Sequence, residues 1–476
     1  MQPHSSKDMS KTSEIMQPPL LWNALPFDIL YIVFDCVSES FPKYYPFKDY
    51  YKDFTSQDYT EDEVAIKQCF LAFSLVCRRW HVATQPYLLR VLSIRFEMSS
   101  TVDTVTRRRG LLDILQWLDS HPLLPGPVRH LRLIMDDMPV ESPENSSDGS
   151  VWSSDESIES SDEPVWRGCD PNLVHTLLRF HDVRAVDLIN LVFDSVQLTA
   201  HVSTITTAHA DTAAPIDLDT LTIAYPTAQL PDVDVLQLST AWFGSVSTLV
   251  MRARLPAGLV CYSMLENLPA RLAARTIVIG TPIHPGVGKR LHCSPTFGNQ
   301  GTLRALHVKF VSYWNIPWSL IRPASHLLEE LHLDFTQCFE PQRATDIFPP
   351  ELFIDLCALP RLRELTVQLL LTDLAWDILH RIILSLQQFD DDREHQLPPL
   401  RCVTLVPHGE MDNHIPWVGL RSTWVSAMLA GVPTLERCTL DLRAVRCAPD
   451  RFEQHKAWFR EHMAKLHRKG LLHFVG

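Results

Sequence analysis

The stretch LEELHL (residues 328–333) is followed by LRELTV (362–367), and both place apolar residues at positions one, four and six of a six-residue unit. The same spacing recurs in LRVLSI from 89, VRHLRL from 128, VRAVDL from 183, LDTLTI from 218, VSTLVM from 246 and ARTIVI from 274, and again in LRALHV from 303, LRCVTL from 400 and LERCTL from 435. With the first pair that makes eleven units. Apolar residues two apart at the end of each unit suit a strand whose alternate side chains face one side.

The unit starts are separated by 39, 55, 35, 28, 28, 29, 25, 34, 38 and 35 residues, an irregular repeat period. The longest gap holds the acidic serine run ESPENSSDGSVWSSDESIESSDE, residues 141–163, and without those 23 residues it falls to 32. The run therefore reads as a loop added to a complete repeat. The apolar positions defined the units, so the fifth position is the informative one. It reads Ser93, Arg132, Asp187, Thr222, Val250, Val278, His307, His332, Thr366, Thr404 and Thr439, polar in nine of eleven, as a strand with one buried and one polar face requires.

Helical patterns lie between units, including RGLLDILQWLDSHP (109–122) and LAWDILHRIILSLQQF (374–389). Strand followed by crossover helix, repeated, predicts an α/β fold with a parallel sheet in which each unit buries its apolar face on its neighbours. This resembles a degenerate leucine-rich-repeat solenoid occupying residues 91–476. The asparagine expected after the strand is replaced at ninth positions such as Glu97, Asp136, Pro226, Arg254 and His408, so the resemblance covers the architecture rather than a smooth curvature. RFEQHKAWFREHMAKLHRKG (451–470) predicts an amphipathic helix ending at Gly470, with LLHFV as a last strand, together a cap over 450–476.

Ahead of the repeats, LWNALPFDILYIVFDCV (21–37) starts a helix, with Pro26 suited to the first turn and Asp28 to the N-terminal dipole. A second piece, FSLVCRRWHVATQPYLLR (73–90), sets Phe73, Cys77, Trp80 and Thr84 on one face and stops at Pro86. Both carry more apolar surface than two short helices can hide in each other. The pair resembles the F-box, in its leucine-proline start, aliphatic first helix and valine-cysteine-basic-basic-tryptophan second helix. The departure is an insertion of about residues 39–69 between the halves. The expected organisation is a disordered tail (1–19), a short all-helical F-box (20–90) and the repeat domain.

The resemblance implies a face that docks on a Skp-type adaptor, formed by Leu25, Pro26, Ile29, Ile32, Val33, Val76, Cys77 and Trp80. It implies a substrate-recognition subunit of an SCF-type (Skp, cullin, F-box) ubiquitin ligase, a non-catalytic chain whose solenoid holds an unknown target protein for ubiquitination. The alternative is an F-box scaffold acting outside a ligase. Target contacts are expected from the polar strand face, at His307, Lys309, Glu330, His332, Asp334, Glu364, Gln368, Arg437 and Asp441, with Trp314, Trp318 and Trp417 as aromatic anchors in loops.

Cys77 and His81 stand four apart beside Arg78 and Arg79, a setting that can lower a thiol pKa. A nucleophilic site also needs an orienting group and an oxyanion site, and the neighbouring sequence supplies neither. Cys77 is read as a packing residue, and Cys77→Ser is expected to cost about 1–3 kcal/mol by placing a hydroxyl in an apolar seam. HPGVGKRLHC (284–293) lacks phosphate-loop spacing, with Arg290 where Ser or Thr belongs. His408, Asp412 and His414 lack a fourth metal ligand nearby, and His455, His462 and His467 do not form an H-E-x-x-H helix. No metal or cofactor is expected.

The 476 residues carry a net charge of −13, or −5 without the eight acids of the serine run, and no excess of Lys and Arg that would suit a nucleic-acid binder. Ser153 and Ser160, each with an acid three residues on, resemble sites of acid-directed kinases. Eleven scattered cysteines without a C-x-x-C pair suit a reducing compartment. The polar first residues and the lack of long apolar runs point to a cytoplasmic or nuclear protein without a membrane partner.

Overall fold

The computed structural model describes residues 26–40, 61–97, 111–122, 125–136, 172–189, 191, 199–200, 202–207, 216–225, 242–253, 274–283, 302–310, 321, 324–336, 354–386, 397–410, 416–446 and 451–476. The expected tail (1–19), the acidic run (141–163) and Leu25, Trp314 and Trp318 lie outside them. The chain separates into two compact units, Met1–Val91 and Leu92–Gly476.

The first unit is helical: α1 (Phe27–Ser40), α2 (Glu61–Ser74) and α3 (Arg78–Leu88). Pro26 stands at the start of α1, where its carbonyl accepts the Leu30 N–H at 3.1 Å. Three expectations need correction. Residues 61–69 of the supposed insertion belong to α2, and the expected continuous helix through Cys77 breaks after Ser74. The break is a turn in which Leu75 N–H reaches Ala72 and Val76 N–H reaches Phe73, leaving Cys77 extended as the N-cap of α3 without a side-chain cap bond. Pro86 also lies inside the last turn of α3 rather than ending it, because only one helical N–H is lost that close to the C-terminus.

This geometry revises the effect of Cys77→Ser. A serine hydroxyl at an N-cap can accept a first-turn N–H, which contributes about 1 kcal/mol and offsets the cost of partial burial. A stability change within about 1 kcal/mol is expected, measurable as a shift in urea midpoint. A loss of 3 kcal/mol would mean that the seam, not the cap, dominates.

The second unit is built on strands β1 (Val91–Glu97), β2 (His130–Asp136), β3 (Ala185–Ile189), β4 (Ile216–Tyr225), β5 (Phe243–Ala253), β6 (Thr276–Ile283) and β7 (Ala305–Phe310), continuing with β8 (Glu330–Asp334), β9 (Glu364–Leu370), β10 (Cys402–Glu410), β11 (Arg437–Asp441), β12 (Val445–Arg446) and β13 (Leu472–Val475). Each strand from β1 to β11 lies beside the next in chain order, β13 follows β11, and β12 pairs with β10. The registers from β2 onward are parallel. The α/β class and parallel sheet therefore agree with the sequence reading.

The repeat units set that register. From β2 to β11 the fifth positions are direct partners: Arg132, Asp187, Thr222, Val250, Val278, His307, His332, Thr366, Thr404 and Thr439 form one row across the sheet. At the second position a main-chain motif repeats. The carbonyl of Arg304 accepts the N–H groups of Glu329 and Glu330, that of Glu329 those of Arg363 and Glu364, and that of Arg363 those of Arg401 and Cys402. Fourth and sixth positions such as Leu331, Leu333, Leu365 and Val367 point the other way into the core.

Over that apolar side lie helices α4 (Leu111–Ser120), α5 (Leu173–Leu177), α6 (Asp373–Leu384) and α7 (Pro416–Leu429), followed by α8 (Phe452–His462) and α9 (Ala464–Arg468). Trp376, Leu379, Ile383, Val425 and Leu429 bring α6 and α7 into the strand core. The expected single C-terminal helix is divided at Met463. Its stop is as read: Gly470 has φ 71°, and the Leu471 N–H returns to the Leu466 carbonyl at 3.0 Å, closing the end of α9 before β13.

Candidate functional site

In the helical unit, α1 divides its wide apolar stripe. Leu30 and Phe34 turn inward and are fully buried, whereas Ile29, Ile32 and Val33 stay outside, with Ile32 58% exposed. The α2–α3 turn adds Leu75 at 85% and Val76 at 49% exposure. These five aliphatic side chains of a small helical unit thus stand exposed. Pro26 is also exposed, and Cys77 is partly buried against the helical core.

Trp80, expected on the docking face, requires correction: it is 6% exposed. Its ring stands edge-on to Phe34 at 5.5 Å and to Phe73 at 5.6 Å, while Phe70 stacks on Tyr87 at 4.9 Å. Tyr87 Oη donates to the Tyr31 carbonyl at 3.2 Å. Trp80 thus holds the helices in place rather than offering surface. Its pattern in sequence is the same for either role, whereas the exposure of Leu75 follows from the turn between α2 and α3. His81 Nε2 lies 3.3 Å from Gln85 Nε2, an arrangement that holds the imidazole with an amide.

The polar face of the sheet is packed more tightly than expected. Of the nine predicted target residues, His307, Lys309, His332, Asp334, Gln368 and Asp441 are all buried, Glu330 is partly buried, and Glu364 and Arg437 are exposed. Neighbouring strands run about 4.8 Å apart, so polar side chains in register cover one another. His307 stacks on His332 at 5.3 Å, Gln368 Nε2 donates to His332 Nε2 at 3.0 Å, and His408 Nε2 donates to Gln368 Oε1 at 3.1 Å. These bonds fix the His332 proton on Nδ1 and the His408 proton on Nε2. Burial, with His307 alongside, pushes His332 down to about 3, and burial also lowers His408, so both are neutral near pH 7. His307, whose Nε2 lies 3.5 Å from Glu330 Oε1, is the main cause holding Glu330 below its ordinary value.

A second buried cluster spans β2 and β3. Asp187 accepts from His130 at 2.8 Å and from Arg132 at 3.0 Å. Burial alone raises a carboxyl, but here His130 and then Arg132 outweigh it and hold Asp187 well below the usual carboxylate range. Asp187→Asn is expected to cost about 2–3 kcal/mol by weakening two buried hydrogen bonds, one of them to the Arg132 guanidinium. A depressed folded-state pKa gives stability that is present above the unfolded value near 3.9 and lost as pH falls through the folded one. The difference in melting temperature between wild type and Asp187→Asn should therefore narrow below about pH 4. A difference that stays constant from pH 7 to pH 2 would show that shape, not charge, is responsible.

Among the described residues no group of three or more His, Cys, Asp or Glu side chains could hold a metal ion, and no helix is long and apolar enough to cross a membrane. Asp412, His414 and the Trp417 side chain lie outside what the structure describes. Burial pushes the Cys438 thiol up to about 12 and also raises Cys357, which disfavours thiolate at either position. No protein-family model matches the chain, and no curated protein matches it significantly.

Proposed function

We propose that this chain is the substrate-recognition subunit of an SCF-type ubiquitin ligase, with an F-box in its helical unit and a leucine-rich-repeat solenoid in its second unit. The observation that carries the reading is the outward set Ile29, Ile32, Val33 and Val76, exposed in the residues that carry the F-box resemblance. In-register strands in chain order, one to each repeat unit, support the solenoid. On this reading a Skp-type adaptor covers the apolar helical face and links the chain to a cullin. The chain does no bond chemistry. It holds a target near the ligase-bound conjugating enzyme, raising the local concentration of target lysines to the order of mM.

On this reading the target meets the N-terminal ends of the strands, where Glu364 and Arg437 are exposed and Glu330 partly so. The buried His332, Gln368 and Asp334 then serve to fix that surface. Glu364→Lys with Arg437→Glu is expected to weaken target capture at least 10-fold while leaving adaptor binding unchanged, read by quantitative pulldown under proteasome inhibition. Cullin recovered with the wild-type chain supports the ligase. Adaptor recovered without cullin would instead make the chain a scaffold acting outside one.

A further inference from the structure

On the polar face of the sheet a hydrogen-bonded string crosses β8, β9 and β10. Gln368 stands between two imidazoles, with its Nε2 3.0 Å from His332 Nε2 and its Oε1 3.1 Å from His408 Nε2. A primary amide has one donor end and one acceptor end. The string is therefore satisfied when His332 offers a bare nitrogen and His408 an N–H. One added proton at His332 Nε2 forces the amide to turn over and His408 to move its own proton to Nδ1. A second leaves two N–H donors facing a single amide oxygen, and the string breaks.

The neighbours do not compensate for such a charge. His307 of β7 stacks on His332 with the ring planes 23° apart. Among the described residues, each buried or half-buried acid on this face already meets a base: Asp334 lies opposite Lys309 in register, Glu330 is 3.5 Å from His307, and Asp441 accepts from Arg443 Nε at 2.8 Å. Glu364 and Arg437 are exposed at the starts of β9 and β11, where water screens them, and between them Cys402 Sγ takes the Arg437 guanidinium at 3.8 Å. Burial lowers both imidazoles of the string, with His307 adding to the effect at His332, whereas Asp334 and Asp441 only partly oppose it at His408.

We propose that the His332–Gln368–His408 string is a proton-sensitive latch, closed at neutral pH and opening locally over β8–β10 as the medium turns acidic. The sign follows from linkage. A histidine held neutral in the closed form and free to titrate near its ordinary value of about 6.5 in the open form favours closure above that pH and loses it below. For one such imidazole the open fraction rises about 25-fold between pH 7 and pH 5. Opening brings positive charge to a face that is buried and satisfied at neutral pH, so the acid form presents a different surface. The latch lies within the sheet and does not depend on the ligase reading.

The test is hydrogen exchange of the full chain at pH 7, 6 and 5, corrected for the intrinsic pH dependence of amide exchange. Opening of β8–β10 should increase about 25-fold from pH 7 to pH 5, while β3–β5, whose polar face carries no histidine, changes less than about 3-fold. In Gln368→Glu the carboxylate accepts from both protonated imidazoles, so the acid-induced opening should vanish or reverse. A purely structural role for Gln368 would instead loosen β8–β10 equally at every pH. Exchange of the imidazole C2 hydrogens in the wild-type chain reads the histidines one by one and does not rely on a variant folding; the His332 midpoint should lie below about pH 5. A His332 midpoint near 6.5, a rise shared equally by the whole sheet, no rise in β8–β10, or the same acid-induced opening in Gln368→Glu would overturn the proposal.

Discussion

Trp80→Ala is expected to unfold the helical unit while the sheet persists. Truncating a buried tryptophan typically costs about 3–5 kcal/mol, a large fraction of the stability of any small domain. Here the ring is one member of an aromatic cluster with Phe34 and Phe73, contributed by α1 and α2, so its loss undermines both neighbours. Hydrogen exchange on the full chain separates the outcomes. Amides of α1–α3 should lose protection in the variant, whereas those of β7–β11 keep it. Native protection in α1–α3 would show that the other aromatics suffice to hold the helices.

Ile32→Glu combined with Val76→Glu addresses the surface instead of the interior. Both side chains are exposed in the free chain, so the changes are expected to leave the fold and its melting temperature nearly unaltered. Burying such a side chain in an interface gains about 1.5–3 kcal/mol, and two together about 3–6. With each 1.4 kcal/mol worth a factor of ten, adaptor affinity should fall at least 100-fold. This pair distinguishes docking from folding in a way that Trp80 cannot, because losing the tryptophan removes the folded unit along with its surface.

The parallel sheet was legible in the sequence because a strand period of two, with a free fifth position, is a local signal. Its consequence, a row from Arg132 to Thr439, follows from stacking equivalent units in register. Burial of the polar face was not legible. Whether His332 or Asp334 meets solvent depends on what the adjacent strand places beside it, which here is His307, Gln368 and Lys309. In the helical unit the stripe of α1 predicted surplus apolar surface, and Ile29, Ile32 and Val33 supply it. The turn at residues 75–77 carries neither Gly nor Pro, so no local signal in the sequence separates the residues on its two sides into two helices.

The most direct measurement is isothermal titration of the full chain with a purified Skp-type adaptor, for wild type and for Ile32→Glu/Val76→Glu at equal folding. The account predicts one-to-one saturable binding by the wild-type chain, with a negative heat-capacity change from buried apolar surface, and at least a 100-fold loss in the double variant. No heat of binding to the wild type, or equal affinity for the variant, would contradict it.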